Sequence, residues 1–181
     1  MGATTTKAQS IQAFGQVESN PIGLDRQAVT GIVQALNKDL ATAYTLYHQY
    51  KKHHWLVIGP QFRDLHLFLD EQAKGALETS DLLAERITAL GGVPLSSPAG
   101  QQKEAAFTFE EEGHFDIRSS LERDLAAEAA LIKDLRQHAI LADKGADQGT
   151  AHLLRERLIH HENQAHHLDH FLGQDTLHRF D

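Results

Sequence analysis

Apolar residues recur at helical spacing along the chain, and the breaks in this pattern mark the ends of the predicted elements. The first run follows Asp25, an N-cap residue type, and predicts a long helix that ends near Trp55. Gly59-Pro60 interrupts the pattern, and Pro60 suits the opening of the next helix. The second run then continues to Gly91-Gly92.

Two further helices are predicted after a long connection. A stretch rich in Ser, Pro and Gly, residues 96–100, starts this connection, which extends to Gly113 and has room for a short helix. The third predicted helix runs over about 116–143, and the fourth over 150–172. Four long amphipathic helices with one long crossover between the second and third predict an all-α four-helix bundle.

The remaining residues are predicted to be tails. We expect a flexible N-terminal tail over 1–24, the bundle over 25–173, and a short C-terminal tail over 174–181. The first residues lack the apolar region of a secretory signal, and no apolar run reaches the ~20 residues of a membrane span. With no Cys, the 181-residue chain is expected to be a single domain in the cytoplasm.

The charge pattern favours a partner of positive charge. The formal net charge is −8, and the first 25 residues contain one basic residue, Lys7. A protein that binds nucleic acid by charge alone would carry a basic patch or tail. The 13 His residues suit metal binding, although a single His is more often a solvated surface residue or a hydrogen-bonded core residue.

Four residues with metal-binding side chains share one face of the second predicted helix. His66 and Asp70 form one i, i+4 pair, and Asp81 and Glu85 form another. Each pair can hold one ion, but the pairs lie about 16 Å apart along the helix axis at ~1.5 Å per residue. One helix therefore cannot bring both pairs to the same metal.

Two antiparallel copies of this helix can combine the pairs. The four positions are symmetric about the point between Gly75 and Ala76, so a two-fold axis there sets His66 opposite Glu85 of the second copy. Ala73, Gly75 and Ala76 are small enough for two backbones to approach closely. Such mixed nitrogen and oxygen ligands suit Fe(II), with Zn, Mn or Co as competitors. The alternative is an ordinary solvated helix face.

Two segments resemble the Dps family of mini-ferritins. The first comprises His54-Trp55-Leu56-Val57-Ile58-Gly59 and, five residues later, Leu65-His66-Leu67-Phe68-Leu69-Asp70. The second is Asp81-Leu82-Leu83-Ala84-Glu85-Arg86, followed by Leu90-Gly91-Gly92. The resemblance covers about residues 26–172 and implies a ferritin-like fold that assembles into a hollow dodecamer of two-fold dimers.

The resemblance also implies the ligands. His54, His66 and Asp70 would come from one subunit, Asp81 and Glu85 would come from its two-fold mate, and Glu85 would bridge two irons. No catalytic residues separate from these metal ligands, and no organic cofactor, are implied. An aromatic residue beside the site is a further family feature, and Trp55 either takes this place or is a simple core aromatic.

The implied activity is that of a ferroxidase. Dps proteins oxidise Fe(II), usually with hydrogen peroxide in preference to dioxygen, store the ferric mineral, and thereby protect the cell against oxidative damage. Ferritins and bacterioferritins instead place Glu-x-x-His pairs inside each subunit's bundle. The one such pair here is Glu111/His114, which lies in the crossover, so this related class does not fit the chain.

The chain departs from the family in its tails and in its last helix. Its tails lack the Lys and Arg clusters of DNA-binding members, so direct DNA binding and nucleoid association are not expected. His166 stands where many relatives have Trp and is a candidate extra ligand, whereas His161 lies on the apolar stripe and is expected to be packed. Asp143 and Asp147 either line an iron-entry pore or serve as turn and cap residues.

Overall fold

The computed structural model describes residues 9–173, and in this range the chain is helical without β-strands. The helices are α1 (Arg26–Leu56), α2 (Phe62–Ala89), α3 (Pro98–Glu104), α4 (Ile117–Lys144) and α5 (Gln148–Leu172). Four of them are long, as predicted, and the short α3 lies in the crossover. The predicted all-α bundle is confirmed. The expected C-terminal tail, 174–181, lies outside the described residues.

The helix starts follow the chemistry of N-capping. Asp25 accepts hydrogen bonds from the backbone N–H groups of Gln27 and Ala28, and Asp116 caps α4 through Ser119. These contacts satisfy donors that the first turn of a helix leaves free. Pro60 does not open α2 as expected, because α2 begins at Phe62 and Pro60 belongs to the preceding turn.

The long helices pack as two antiparallel pairs. α1 packs against α2 and α4, and α4 packs against α5. His53 near the end of α1 contacts Asp124 near the start of α4, so α1 and α4 also run in opposite directions. The crossover therefore travels the length of the bundle along α1. Fully buried side chains fill the interior, among them Leu36, Leu40, Leu46, Leu69, Leu83, Leu131, Leu135 and Leu154.

The second half of the expected N-terminal tail packs on the bundle. Val17 is buried with the core residues, and the Glu18 N–H donates to the Gly91 carbonyl oxygen at 2.9 Å. Gly91 has a φ of +82°, and a Cβ there would come within 2.5 Å of the Glu18 carbonyl oxygen. Glycine is therefore required at this contact. Residues 1–8 lie outside the described range.

None of the helices in residues 9–173 combines the length and the apolar character that a bilayer crossing requires. The long helices are instead amphipathic, with charged residues along their outer faces and apolar residues toward the bundle interior.

Candidate metal centre

Two histidines from neighbouring helices fix each other's rings at the junction of α1 and α2. His54 Nδ1 donates to the His66 carbonyl oxygen at 2.7 Å, and His66 Nδ1 donates to the His54 carbonyl oxygen at 2.9 Å. The rings are stacked with centroids 3.8 Å apart. Because Nδ1 carries the proton in both rings, both Nε2 atoms keep a lone pair. A backbone partner on the far nitrogen is the usual arrangement for metal-binding imidazoles.

Aromatic side chains flank this histidine pair. The Phe62 ring lies 5.0 Å from the His66 ring and restricts its rotation. Trp55 is 69% exposed, so the core-aromatic alternative is wrong. Lys51 Nζ lies 5.9 Å from the centre of the Trp55 ring, and Lys51 in turn binds Asp70. Trp55 therefore lies beside the candidate centre on an exposed surface.

Asp70 lies one helical turn after His66, and two lysines bind its carboxylate. Lys51 Nζ lies 2.8 Å from Oδ1, and Lys74 Nζ lies 2.7 Å from Oδ2. Hydrogen bonds from Lys51 and then from Lys74 hold the pKa of Asp70 below its usual range. The carboxylate is therefore ionised and suited to a cation. Sequence reasoning missed both lysines, although the i, i+4 spacing of Asp70 and Lys74 can be read directly.

Asp81 and Glu85 lie on the same helix, far from the histidines. Both are exposed, and neither carboxylate forms an ion pair within residues 9–173. Fifteen residues separate His66 from Asp81, which is about 22 Å along a helix at ~1.5 Å per residue. Within the described range, no three His, Asp or Glu side chains of one chain come together closely enough to hold a metal ion.

The small residues at the middle of α2 have a different role from the one expected. Ala73, Gly75 and Ala76 are buried inside their own bundle, so they do not form a close contact between two copies. A Cβ at Gly75 would collide with the side chains of His160 and Gln164 on α5. Glycine is therefore needed at this position inside a helix because α5 of the same chain packs closely against α2 there.

A chain of hydrogen bonds crosses the interior of the bundle and touches all four long helices. Tyr50 of α1 donates to Glu128 of α4 at 2.7 Å, and His161 of α5 bonds the other Glu128 oxygen at 2.8 Å. Thr79 of α2 bonds His161 Nε2 at 3.0 Å. Burial raises the pKa of Tyr50 well above its usual range, and the negative charge of Glu128 adds to this shift, so the phenol keeps its proton.

A second buried cluster lies next to this chain. His53 bonds Asp124 at 2.8 Å and Glu110 at 3.2 Å, and Gln49 donates to Asp124 at 2.9 Å. Burial disfavours the charged imidazole, but the bonds and charges of Asp124 and Glu110 outweigh it and raise the pKa of His53. Both nitrogens of His53 are occupied, as are both nitrogens of His161. Neither of these two buried imidazoles therefore has a free nitrogen lone pair with which to bind a metal.

Comparisons with known proteins identify the family and the fold. The family model described as "Ferritin-like domain" matches residues 33–177. A relative from Halobacterium salinarum, named "DNA protection during starvation protein", is 49% identical over 96% of each chain. The chain belongs to the Dps family of ferritin-like proteins. The solved structure of an archaeal Dps homologue from H. salinarum matches with a TM-score of 0.92 and 48% identity, covering 96% of this chain and 97% of that chain.

A more distant structure connects the fold with metal chemistry. The Dps protein from Vibrio cholerae O1, described as a member of a broad superfamily of ferritin-like diiron-carboxylate proteins, has a TM-score of 0.81 and 28% identity. The alignment covers 87% of this chain and 99% of that one. The Dps resemblance found in the two sequence segments is thus confirmed. The assignment of individual ligands stays a prediction.

The α5 histidines of this Dps-family chain divide into two groups. His161 is buried and bonded, as its place on the apolar stripe predicts. His166 is exposed, and its ring neighbours are His167 and His170 of the same helix. Within residues 9–173, neither His54 nor His66 is among the ring neighbours or hydrogen-bond partners of His166. Its role as an extra ligand stays a prediction without support from the contacts inside one chain.

The two expected pore residues also differ from each other. Asp147 is 1% exposed, caps α5 through the Thr150 N–H, and binds Arg86 at 2.6 Å. These contacts occupy its carboxylate, so a cap role fits Asp147 better than a pore role. Asp143 keeps 34% of its side chain exposed and pairs with Arg155. It stays a candidate pore residue.

The interior hydrogen bonds lead to a stability prediction. Glu128→Ala leaves Tyr50 and His161 buried without their common acceptor, so we expect the free energy of unfolding to fall by about 3 kcal/mol. Chemical denaturation of the assembled protein measures this change. Glu162→Ala, which removes an exposed partner of Arg136, is the matched control and should change stability by about 0.5 kcal/mol or less.

The same variants also test whether the interior binds metal. Glu128→Ala should leave the Zn²⁺ stoichiometry of the native protein unchanged, because hydrogen bonds to buried neighbours already occupy Glu128 and His161 in the native bundle, so the variant loses no metal ligand. A fall in the number of bound Zn²⁺ ions with the fold intact would contradict our interpretation of the interior as a structural network.

Proposed function

We propose that this chain is a ferroxidase and iron-storage subunit of the Dps type. It binds Fe(II) at sites shared by two subunits, oxidises it with hydrogen peroxide, and stores the ferric product inside a hollow dodecamer built from two-fold dimers. His54, His66 and Asp70 belong to one subunit, and Asp81 and Glu85 to its two-fold mate. The cytoplasmic location stays a prediction.

The incomplete ligand set of a single chain carries this proposal. One end of the α2 face has two imidazoles with free Nε2 atoms and one ionised carboxylate. The other end has two exposed carboxylates that form no ion pair with any other residue in 9–173. Each half is insufficient alone, and an isologous dimer supplies the missing half twice. Carboxylate oxygens and imidazole nitrogens together suit iron as the bound metal. Zn or other divalent ions can compete with iron for the same ligands.

The chemistry follows from this set of ligands. Two Fe(II) ions each lose one electron, hydrogen peroxide accepts both, and its O–O bond breaks to give two water molecules after two protons are taken up. Anionic carboxylates stabilise Fe(III) more than Fe(II), so Asp70, Asp81 and Glu85 favour the oxidised product. Binding two ions together allows both electrons to pass to one peroxide molecule without release of a hydroxyl radical.

Removal of the distal carboxylates tests the proposal. We expect the double variant Asp81→Ala/Glu85→Ala to assemble normally and to lose rapid iron oxidation, because each site then lacks the ligands from the second subunit. Ferric absorbance after addition of Fe(II) and peroxide measures the rate, and light scattering measures the assembly. The matched control is Glu104→Ala/Glu122→Ala, which removes two exposed charges on other helices. Equal rates in both double variants would refute the proposal.

Direct protection of DNA is a second candidate function, because the H. salinarum relative is named for DNA protection. The relative's name does not support our expectation that this chain does not bind DNA. That expectation therefore stays a prediction. It rests on the net charge of −8 and on the single Lys among the first 25 residues.

A mobility-shift experiment separates the two functions. We expect no retardation of duplex DNA at moderate salt when metal-free protein is used, because a surface of net negative charge repels phosphate. Retardation under these conditions would support DNA binding. Retardation that needs Mg²⁺ would indicate bridging by the cation between two negatively charged surfaces.

A further inference from the structure

Two exposed histidines, His166 and His170, lie one turn apart near the C-terminal end of α5 and form the α5 histidine pair. Their ring centroids are 4.1 Å apart. His170 Nδ1 donates to the His166 backbone carbonyl oxygen at 2.8 Å, so His170 Nε2 keeps its lone pair. The His166 ring forms no hydrogen bond within residues 9–173, and it is exposed, so it can turn toward an ion that His170 binds. Two imidazoles at i, i+4 on one helix face can chelate a transition metal.

The surroundings of the pair favour a cation. Residues 158–173 contain two acidic residues and neither Lys nor Arg. One of the acidic residues, Asp169, is exposed and forms no ion pair in the described part of the chain. His170 lies in the last turn of α5, where the partial negative charge of the helix end stabilises a positive charge. Arg118 of α4 reaches this end, but it donates to the Leu172 carbonyl oxygen at 3.1 Å and leaves both imidazoles accessible.

The pair is separate from the half-site at the junction of α1 and α2. The Phe68 ring of α2 lies 6.4 Å from the His167 ring and 4.7 Å from the Phe171 ring, so the C-terminal end of α5 packs against α2 at Phe68. At ~100° per residue, Phe68 is about 160° around α2 from both His66 and Asp70. This end of α5 therefore lies across α2 from the half-site of the same chain.

From this arrangement we infer that His166 and His170 form a second metal site in each subunit, which binds Cu²⁺ or another divalent ion that prefers nitrogen ligands. Imidazoles suit Cu²⁺, Ni²⁺ and Zn²⁺, whereas Mg²⁺ and Mn²⁺ prefer oxygen ligands, and Fe²⁺ binds the same nitrogen ligands more weakly than Cu²⁺. Water completes the coordination of the ion. The contacts of His166 inside one chain favour this role over that of an extra ligand beside His54.

Titration of the metal-free, assembled protein with Cu²⁺ tests the inference. Calorimetry counts the bound ions, and electron paramagnetic resonance detects their nitrogen ligands. We expect His166→Gln and His170→Gln each to weaken the binding of one Cu²⁺ per subunit by about tenfold or more, because the second imidazole of a chelate binds at a high effective concentration. Excess Mg²⁺ should not displace this Cu²⁺ from the wild type.

The matched control is His48→Gln, which removes an exposed histidine of α1 that has no histidine or acidic residue one turn away. It should leave the Cu²⁺ of the α5 histidine pair in place. Wild-type Cu²⁺ binding by either His166→Gln or His170→Gln would overturn the inference.

A second comparison keeps this inference apart from the proposed function. His170→Gln should retain the wild-type rate of iron oxidation, and it should still remove one Cu²⁺ per subunit when it is combined with Asp81→Ala/Glu85→Ala. A slow rate of iron oxidation in His170→Gln would contradict a separate site. Rapid iron oxidation by Asp81→Ala/Glu85→Ala alone would refute the shared iron centre, and the Cu²⁺ measurement would still decide on the α5 histidine pair.

Discussion

A straight α-helix holds its side chains at fixed separations, and this constraint determines how the candidate centre can be built. His66 and Asp81 are on one face of α2, but about 22 Å of helix separates them at ~1.5 Å per residue. No bend of the chain within residues 62–89 shortens that distance, because α2 is continuous over this range. The ligands can meet only if a second copy of α2 brings its opposite end, and the self-complementary spacing of the four residues suits such a contact.

A ferritin-like chain can also hold metal in the interior of its bundle. In this chain, the buried polar side chains of the interior are hydrogen-bonded to one another instead. Glu128 receives bonds from Tyr50 and His161, and His53 is held between Asp124 and Glu110. These groups are expensive to bury unless they are paired, and they are paired with one another. The network connects the four long helices, so it gives the bundle a rigid frame on which α1 and α2 present His54 and His66.

Much of this arrangement could be predicted from the sequence, because the relevant signals are local. Apolar periodicity gave the four long helices, and Asp25 and Asp116 marked the starts of α1 and α4. The two Dps-like segments identified the family. The pairing of Glu128 with His161 could not be predicted, because it depends on how helices far apart in the chain pack together.

The failures have equally physical reasons. Gly75 was expected at a contact between copies, but helical phase places it against His160 and Gln164 of its own chain. For Asp147 the sequence left a pore role and a cap role open, and its contacts with Arg86 and with the Thr150 N–H favour the cap role. The contact of Lys51 with Asp70 joins two helices and cannot be read from local spacing, whereas Lys74 lies one turn after Asp70 on the same helix.

Mixing two inactive variants tests the division of the centre between subunits most directly. His66→Ala and Glu85→Ala each damage a different half of every site, so each variant alone should oxidise Fe(II) slowly. Subunits that are unfolded together in equal amounts and reassembled should recover about a quarter of the wild-type rate, because half of the random dimers are mixed and each mixed dimer has one intact site of two. A mixture that is no faster than the separate variants would contradict a centre closed by two chains.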